Sequence, residues 1–466
     1  MRFLLGLVLI LLLAVGGAYV AAGRMAGPPI QINKPEKVVG VSTPLEVEVQ
    51  APGARVEDLR IVLEQNGKQF PLFTLADQKG AELKQNGADR LVVSREIGKQ
   101  AVPELQSGNA SIVVTASRKV LYGIRTIEST ARRDFKVRLE RPRVSVVSTH
   151  HYVNLGGSEM IVYRATPEDV TSGVVVGDVE YPGYPASGAA LEGTKIADPA
   201  LRVAFFALLH DQDLKTPIRL FARDEAGNTA RADFDYRVFP KPFKRSRIPV
   251  DEKFLDRVVP AILEGTTDVK PEGDNLAKFL VINGELRRKN NEKIASFAAQ
   301  TKPELLWRGV VFHPFSNTAV ESAFADHRTY IYNGKEVDQQ THLGFDLAVT
   351  ANVPVLAANS GKVVNADWLG IYGNCVIIDH GQGVSSLYGH LSSIDVKVGD
   401  TVSKGQVLGR SGMTGLAGGD HLHFTMLVGG HPVNPVEWWD SHWIQDRVER
   451  KLRDAGAPAP APATTR

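Results

Sequence analysis

His342-Leu343-Gly344-Phe345-Asp346, followed further along by Leu387-Tyr388-Gly389-His390-Leu391 and by His421-Leu422-His423-Phe424, decides how this chain is read. Around these clusters the sequence is Gly-rich and strand-like. Val353-Val355, Val363, Val376-Ile378 and Val384-Leu387 are short apolar runs punctuated by Asn-Ser-Gly, Gly-Asn and His-Gly-Gln-Gly turns. Side chains alternate along a strand, so residues an even number apart share a face. His421 and His423 therefore point the same way, and His342 and Asp346 do so if their segment is extended. Polar groups then converge between paired strands while Leu343, Leu422 and Phe424 face a core.

Two imidazoles and a carboxylate with an open fourth position are the donor set of a catalytic zinc site rather than a structural one. Singly the pieces say little: His-x-x-x-Asp is mostly surface noise, and a histidine after a Tyr-Gly turn is more often structural. Their conjunction in one β domain carries the reading. His380, in Ile378-Asp379-His380-Gly381, reads as a turn residue, and His313, His327, His431 and His442 lack metal spacing. Tyr330 and Tyr332, just upstream, are candidates to line a substrate groove, with strand packing as the alternative role. Trp438 and Trp439 read as a packed terminal anchor.

The bulk numbers agree with this. The one cysteine, Cys375, excludes an internal disulfide and a Cys-rich structural zinc site, so a metal must use His and carboxylate. A net charge of +2 gives no basic field for nucleic acid. At 466 residues the chain is too long for one core, which points to about three domains.

Met1-Arg2 precedes an uncharged, largely apolar run from Phe3 to Gly23. That length suits a transmembrane helix. Val20-Ala21-Ala22 keeps a cleaved signal peptide as the alternative. Either way the body is expected in the cell envelope, membrane-anchored with the body exported, or secreted if residues 1–23 are removed.

The expected architecture is mostly β and multidomain. Residues 24–33 read as a linker. Alternation at Leu45/Val47/Val49, Ile112/Val114/Ala116 and Phe135/Val137/Leu139 predicts strands. An echo, Thr130-Ala131-Arg132-Arg133-Asp134-Phe135 against Thr229-Ala230-Arg231-Ala232-Asp233-Phe234, each running into a proline (Pro142, Pro240), divides the next part in two. We read 34–141 and 142–240 as tandem immunoglobulin-like β-sandwiches. Residues 241–304 are expected as a basic linker (Lys241, Lys244, Arg245, Arg247), solvated or touching anionic polymer, then a helical segment without catalytic residues. Pro260 should kink its first helix, and Asp274 can cap a second. The domain that carries the three clusters is placed at 305–450, with a disordered Pro/Ala tail at 451–466.

The stretch from about Ser322 to Trp439 resembles the lysostaphin/LytM family of zinc peptidoglycan endopeptidases. It has that family's H-x-x-x-D, G-H-L and H-L-H-F elements, with Val398-Gly399-Asp400, Gly405-Gln406-Val407-Leu408-Gly409 and Gly412-Met413-Thr414-Gly415 between them. The resemblance implies a Gly-rich antiparallel β fold and one zinc ion per chain on His342, Asp346 and His423. It implies that His421 and His390 are unligated catalytic histidines, with His421 favoured as base. Phe345 and Thr425 depart from the family, as does Ala325, where glycine is expected. The substrate implied is bacterial peptidoglycan, cut in its stem peptides or cross-bridges. The alternative is a non-enzymatic wall-binding or regulatory scaffold whose sandwiches recruit an amidase or divisome partner. A lipoyl- or biotin-carrier-like domain would need an exposed modified lysine at a hairpin tip, and the sequence offers none.

Overall fold

The computed structural model describes residues 2–456 except 53, 86, 88, 192–194, 309, 316–317 and 349, with backbone only for 2–6. The chain is mostly β and divides into two compact units, 1–142 with 223–229, and 143–222 with 230–466. The tail placed at 451–466 begins as helix, Arg450–Gly456, with Lys451 and Leu452 buried. Residues 457–466 lie outside the described ones.

In the first unit, strands Thr43–Gln50 and Arg90–Ile97 lie at the centre of a four-stranded sheet. Val56–Gln65, Gly108–Val120 and Arg125–Val137 build a five-stranded one. The alternation seen in the sequence sends Leu45, Val47 and Val49 from one sheet, and Ile61, Ile112, Val114 and Phe135 from the other, into one core. Burying each such side chain contributes roughly 1.5–3 kcal/mol. The N-terminal run forms the helix Arg2–Ala22, exposed from Leu7 to Val20. Among the described residues no helix is long and apolar enough to cross a membrane.

In the second unit, chain before residue 240 packs on the C-terminal sheet. Strands Ser158–Thr166 and Leu201–Ala207 share one continuous apolar core with the C-terminal sheet, from Met160 and Phe205 through Trp438 to Phe424. The two copies of the sequence echo also differ locally. Thr130–Phe135 lies inside one long strand, whereas the second copy is strand only over Thr229–Ala232.

The basic segment is not a free linker. Arg245–Val250 is a strand, pairing in parallel with Asp326–Tyr332, which pairs antiparallel with Lys335–His342. Helix Glu252–Glu264 starts on Asp251, whose carboxylate accepts from Phe254 N at 2.7 Å. Pro260 does not interrupt it, because the proline sits on the exposed face, where water can take up the carbonyl it leaves unpaired. Asp274 caps Asn275–Val281, and a wide π-turn, Ile282–Leu286, leads into Arg287–Ser296. Leu255, Val258, Phe279 and Ile282 pack on Tyr330, Tyr372 and Ile377.

A buried clasp joins the ends of this unit. Glu437 accepts from Asn154 Nδ2 at 2.8 Å and from Ser158 N at 2.7 Å, while Trp438 Nε1 donates to Ser158 Oγ at 3.0 Å. A side chain on Gly157 would come within 2.3 Å of Glu437 Oε1, so glycine is required there. Lys451 pairs with buried Glu159 at 2.9 Å.

Burial pushes the Glu437 carboxyl up to about 7 despite these donors. A carboxyl whose folded value is raised binds its proton more tightly when folded. Its penalty is therefore absent below the ordinary carboxyl range and complete above pH 7, where it reaches about 3 kcal/mol. All five tryptophans lie in this unit, so intrinsic fluorescence reports its unfolding. Removing that penalty should make the pH slope of denaturant stability between pH 5 and pH 8 more positive in Glu437→Gln than in the parent, whatever the buried histidines add to both. An unchanged slope in the variant would contradict the assignment.

Candidate metal centre

His342 ends a strand of the three-stranded sheet, and Asp346 is the second residue of Phe345–Ala348 in the eight-stranded sheet. One extended strand therefore does not carry both, as the sequence suggested. The chain crosses between sheets at Leu343-Gly344, and the crossing brings the two side chains together. Gly344 permits it: a Cβ there would lie 2.5 Å from the His423 ring and from Thr425 Oγ1.

His423, on Leu422–Val428, is the register partner of Asp346, so their side chains project from one face at neighbouring positions. On its other side His423 pairs with Gly389, directly before His390, whose φ of 63° turns it toward the same point. His421 sits one turn of alternation before His423, held by a bridge to Gly412. Ala325 takes a φ of 59°, the left-handed conformation behind the glycine expected at that position.

The inner atoms crowd together. His342 Nε2 lies 2.9 Å from Asp346 Oδ1 and 3.0 Å from His423 Nδ1, and His423 Nδ1 lies 3.1 Å from Asp346 Oδ1. The outer ring nitrogens are already committed. His342 Nδ1 donates to Ala323 O at 3.2 Å. His423 Nε2 donates to Thr425 Oγ1 at 3.0 Å, and that hydroxyl in turn donates to Leu343 O at 2.8 Å. These partners assign the single proton of each neutral ring to its outer nitrogen. Two lone pairs and a carboxylate oxygen then face one another, which is repulsive unless a cation lies among them. All three residues are buried, with donor atoms within 4.8 Å of one another. Donors around a tetrahedral ion at about 2.0–2.2 Å stand roughly 3.3 Å apart, so the residues fit a metal. Asp346 Oδ2 accepts from Arg328 at 2.8 Å, which fixes the carboxylate plane.

His421 and His390 repeat the same logic beside the trio. His421 Nδ1 donates to Gly419 O at 2.9 Å and His390 Nδ1 to Thr414 O at 2.8 Å, leaving both Nε2 atoms as acceptors. Their rings stand 4.8 Å apart. Burial, reinforced by His421 and His423, holds His390 well below the ordinary imidazole value. Burial likewise takes His423 down to about 4 against the pull of Asp346. For His421 burial acts downward too, but the Asp346 carboxylate at 3.5 Å outweighs it and the group is raised. Asp346 itself is driven well below the carboxylate range, because the surrounding histidines overcome the cost of burial.

Residues 340–435 match the model of peptidase family M23. The C-terminal domain belongs to that family. The lysostaphin/LytM resemblance read from the three clusters is thereby borne out. Over 96 residues, 21% of this chain and 22% of the relative, the M23 region is 43% identical to a peptidoglycan DD-endopeptidase, ShyA, of Vibrio cholerae. It is 38% identical over 95 residues, 20% of this chain and 23% of the relative, to the murein hydrolase activator EnvC of Escherichia coli. The solved catalytic domain of lysostaphin from Staphylococcus simulans is 32% identical, covering 26% of this chain and 92% of that one, with a TM-score of 0.24. The chain spans about a quarter of the length of the curated relatives it matches, 22–28% of each.

The M23 trio opens on a cavity of about 440 Å³. Tyr330 lines it, buried against Phe279. Tyr332 does not line it. His342 pairs with Asp326 at the other end of the strand, and the Tyr332 hydroxyl donates to Glu252. His380 is a buried strand residue rather than a turn, held between Ser360 O and Ser386 Oγ at 2.7 Å each. The sequence reading missed Arg328, and it flagged Thr425 only as a departure. Thr425→Val keeps the volume of the side chain but removes the partner of His423 Nε2. Metal affinity, measured by chelator competition, should fall about 10–100-fold. Unchanged affinity would show that the threonine does not orient the ligand.

Proposed function

We propose that the chain is a zinc metalloendopeptidase that hydrolyses peptide bonds in the stem peptides or cross-bridges of peptidoglycan. One observation carries the proposal: His342, Asp346 and His423 converge, buried, with donor atoms within 4.8 Å of one another, beside His421 and His390, whose Nδ1 atoms are held by backbone carbonyls. Zinc, when bound, lowers the pKa of a water toward 7 and polarises the scissile carbonyl.

The chain's own groups handle the rest. His421 is assigned as the base: its Nε2 faces the centre, 3.5 Å from Asp346 Oδ1, so that it takes the proton of the attacking water and returns it to the leaving amine. His390 carries its proton on Nδ1, committed to Thr414 O, so its Nε2 accepts a hydrogen bond and orients that water. His342 and His423 stay neutral ligands through Ala323 and Thr425. Tyr330 contributes to the groove wall.

The uncharged apolar run from Phe3 to Gly23, of which only the part from Leu7 has described side chains, is read as a membrane anchor that holds the body in the envelope. Residues 34–141 and 142–240 are read as immunoglobulin-like sandwiches. In each, the last strand pairs in parallel with one near the start: Val38 with Lys136, and His151 with Tyr236. The likeness to a hydrolase activator favours a second role, recruiting an amidase or divisome partner, but the complete donor set favours chemistry.

The test is mass spectrometry of products released from purified cross-linked peptidoglycan by the zinc-loaded full chain. Peptide-bond cleavage is expected, abolished by chelation and restored by zinc. His421→Ala should slow it by about 10²–10⁴-fold, and His423→Ala should abolish zinc binding as well. Full activity in either variant, or in metal-stripped protein, would overturn the proposal.

A further inference from the structure

Part of the cavity lining comes from well before the M23 match. Lys244 and Ser246, next to or in the parallel strand, and Arg287, after the π-turn, all belong to it. The charged groups here are unequally matched. Arg328 is paired with Asp346 at 2.8 Å. Arg287 has no carboxylate partner among the described residues. Its guanidinium is held by a neutral group instead: Nε donates to Asn283 O at 3.0 Å and a terminal nitrogen donates to Asn283 Oδ1 at 2.6 Å. Asn283 is fully buried and fixed from behind, its amide donating to Asp338 at 2.7 Å. The helix backbone and a buried asparagine thus aim a half-buried cation into the groove without neutralising it.

A guanidinium has five N–H groups, and these two bonds occupy one edge. The end carrying both terminal nitrogens remains as a fork, which matches the two oxygens of a carboxylate. A half-buried cation without a counter-ion is costly, and an anionic ligand removes that cost. Lys244, exposed at the rim, adds positive charge on the same wall.

We propose that Arg287 is a specificity-determining residue that binds a free carboxylate of the peptide substrate, so that the enzyme selects carboxylate-bearing over amidated peptides. This rests on the peptidase reading above.

The experiment compares two cross-linked peptides, identical except that the free carboxylates of one are carboxamides in the other, with the zinc-loaded full chain. The parent should show a kcat/KM about 10–100-fold higher for the carboxylate form, carried mainly by KM. In Arg287→Gln that ratio should fall toward one, and in Arg287→Lys, which keeps charge without the fork, it should be intermediate. A parent ratio near one, or a ratio kept in Arg287→Gln, overturns the inference and leaves the peptidase reading intact. Failure of the parent to cut either peptide, at confirmed zinc occupancy, removes both.

Discussion

Asp346 and His423 face each other across two antiparallel strands, and much of the site follows from that one pairing. It sets a carboxylate oxygen against an imidazole nitrogen at 3.1 Å, too close for two unprotonated groups unless positive charge is shared between them. His342 completes the trio only because the chain leaves one sheet and enters the other at Gly344, where no Cβ fits. His390 and His421 then inherit their positions, one from the strand beyond His423 and one from the residue two before it. A change of one residue in that register would turn His423 into the core and Phe424 into the site.

Outer contacts matter as much as inner ones. Each of the four histidines donates its one ring proton away from the centre, to Ala323, Thr414, Gly419 or Thr425. Three of these acceptors are backbone carbonyls. The proton pattern is thus built into the loop conformations and is insensitive to side-chain substitution there. Thr425 is the exception. Its hydroxyl can serve because it passes its own proton on to Leu343 O, so that its oxygen is presented to His423 as an acceptor.

The five polar residues of the centre were legible because their signal is local: polar side chains at strand spacing inside an apolar, Gly-rich frame. The strands of the first unit were legible for the same reason. Long-range partnership was not. Alternation along Ser158–Thr166 tells that a face is buried but not that Trp438 and Phe424 complete its core. Lys241 to Arg247 reads as a solvated charge run, since nothing nearby signals that Arg245–Val250 will pair with Asp326–Tyr332. Pro260 misled because the rule against helical proline is weaker where the freed carbonyl meets water. Tyr332 misled because sequence proximity to His342 ignores strand direction, and the hairpin carries it away.

These partnerships give the groove two kinds of wall. One side is the M23 sheet, carrying the candidate metal donors and the two histidines beside them. The other is chain that precedes the family match, a parallel strand and a helix broken by a π-turn. Chemistry and selection are therefore held on separate elements of one continuous unit. The wall can change its charge without disturbing the donors, because Arg287 is anchored on Asn283, which Asp338 fixes from behind, rather than on any residue of the centre. The reverse does not hold. Arg328, from the strand between the two walls, is bound to Asp346 and cannot be altered without moving a ligand. Of the arginines in the cavity, Arg328 belongs to the metal site and Arg287 is left for the substrate.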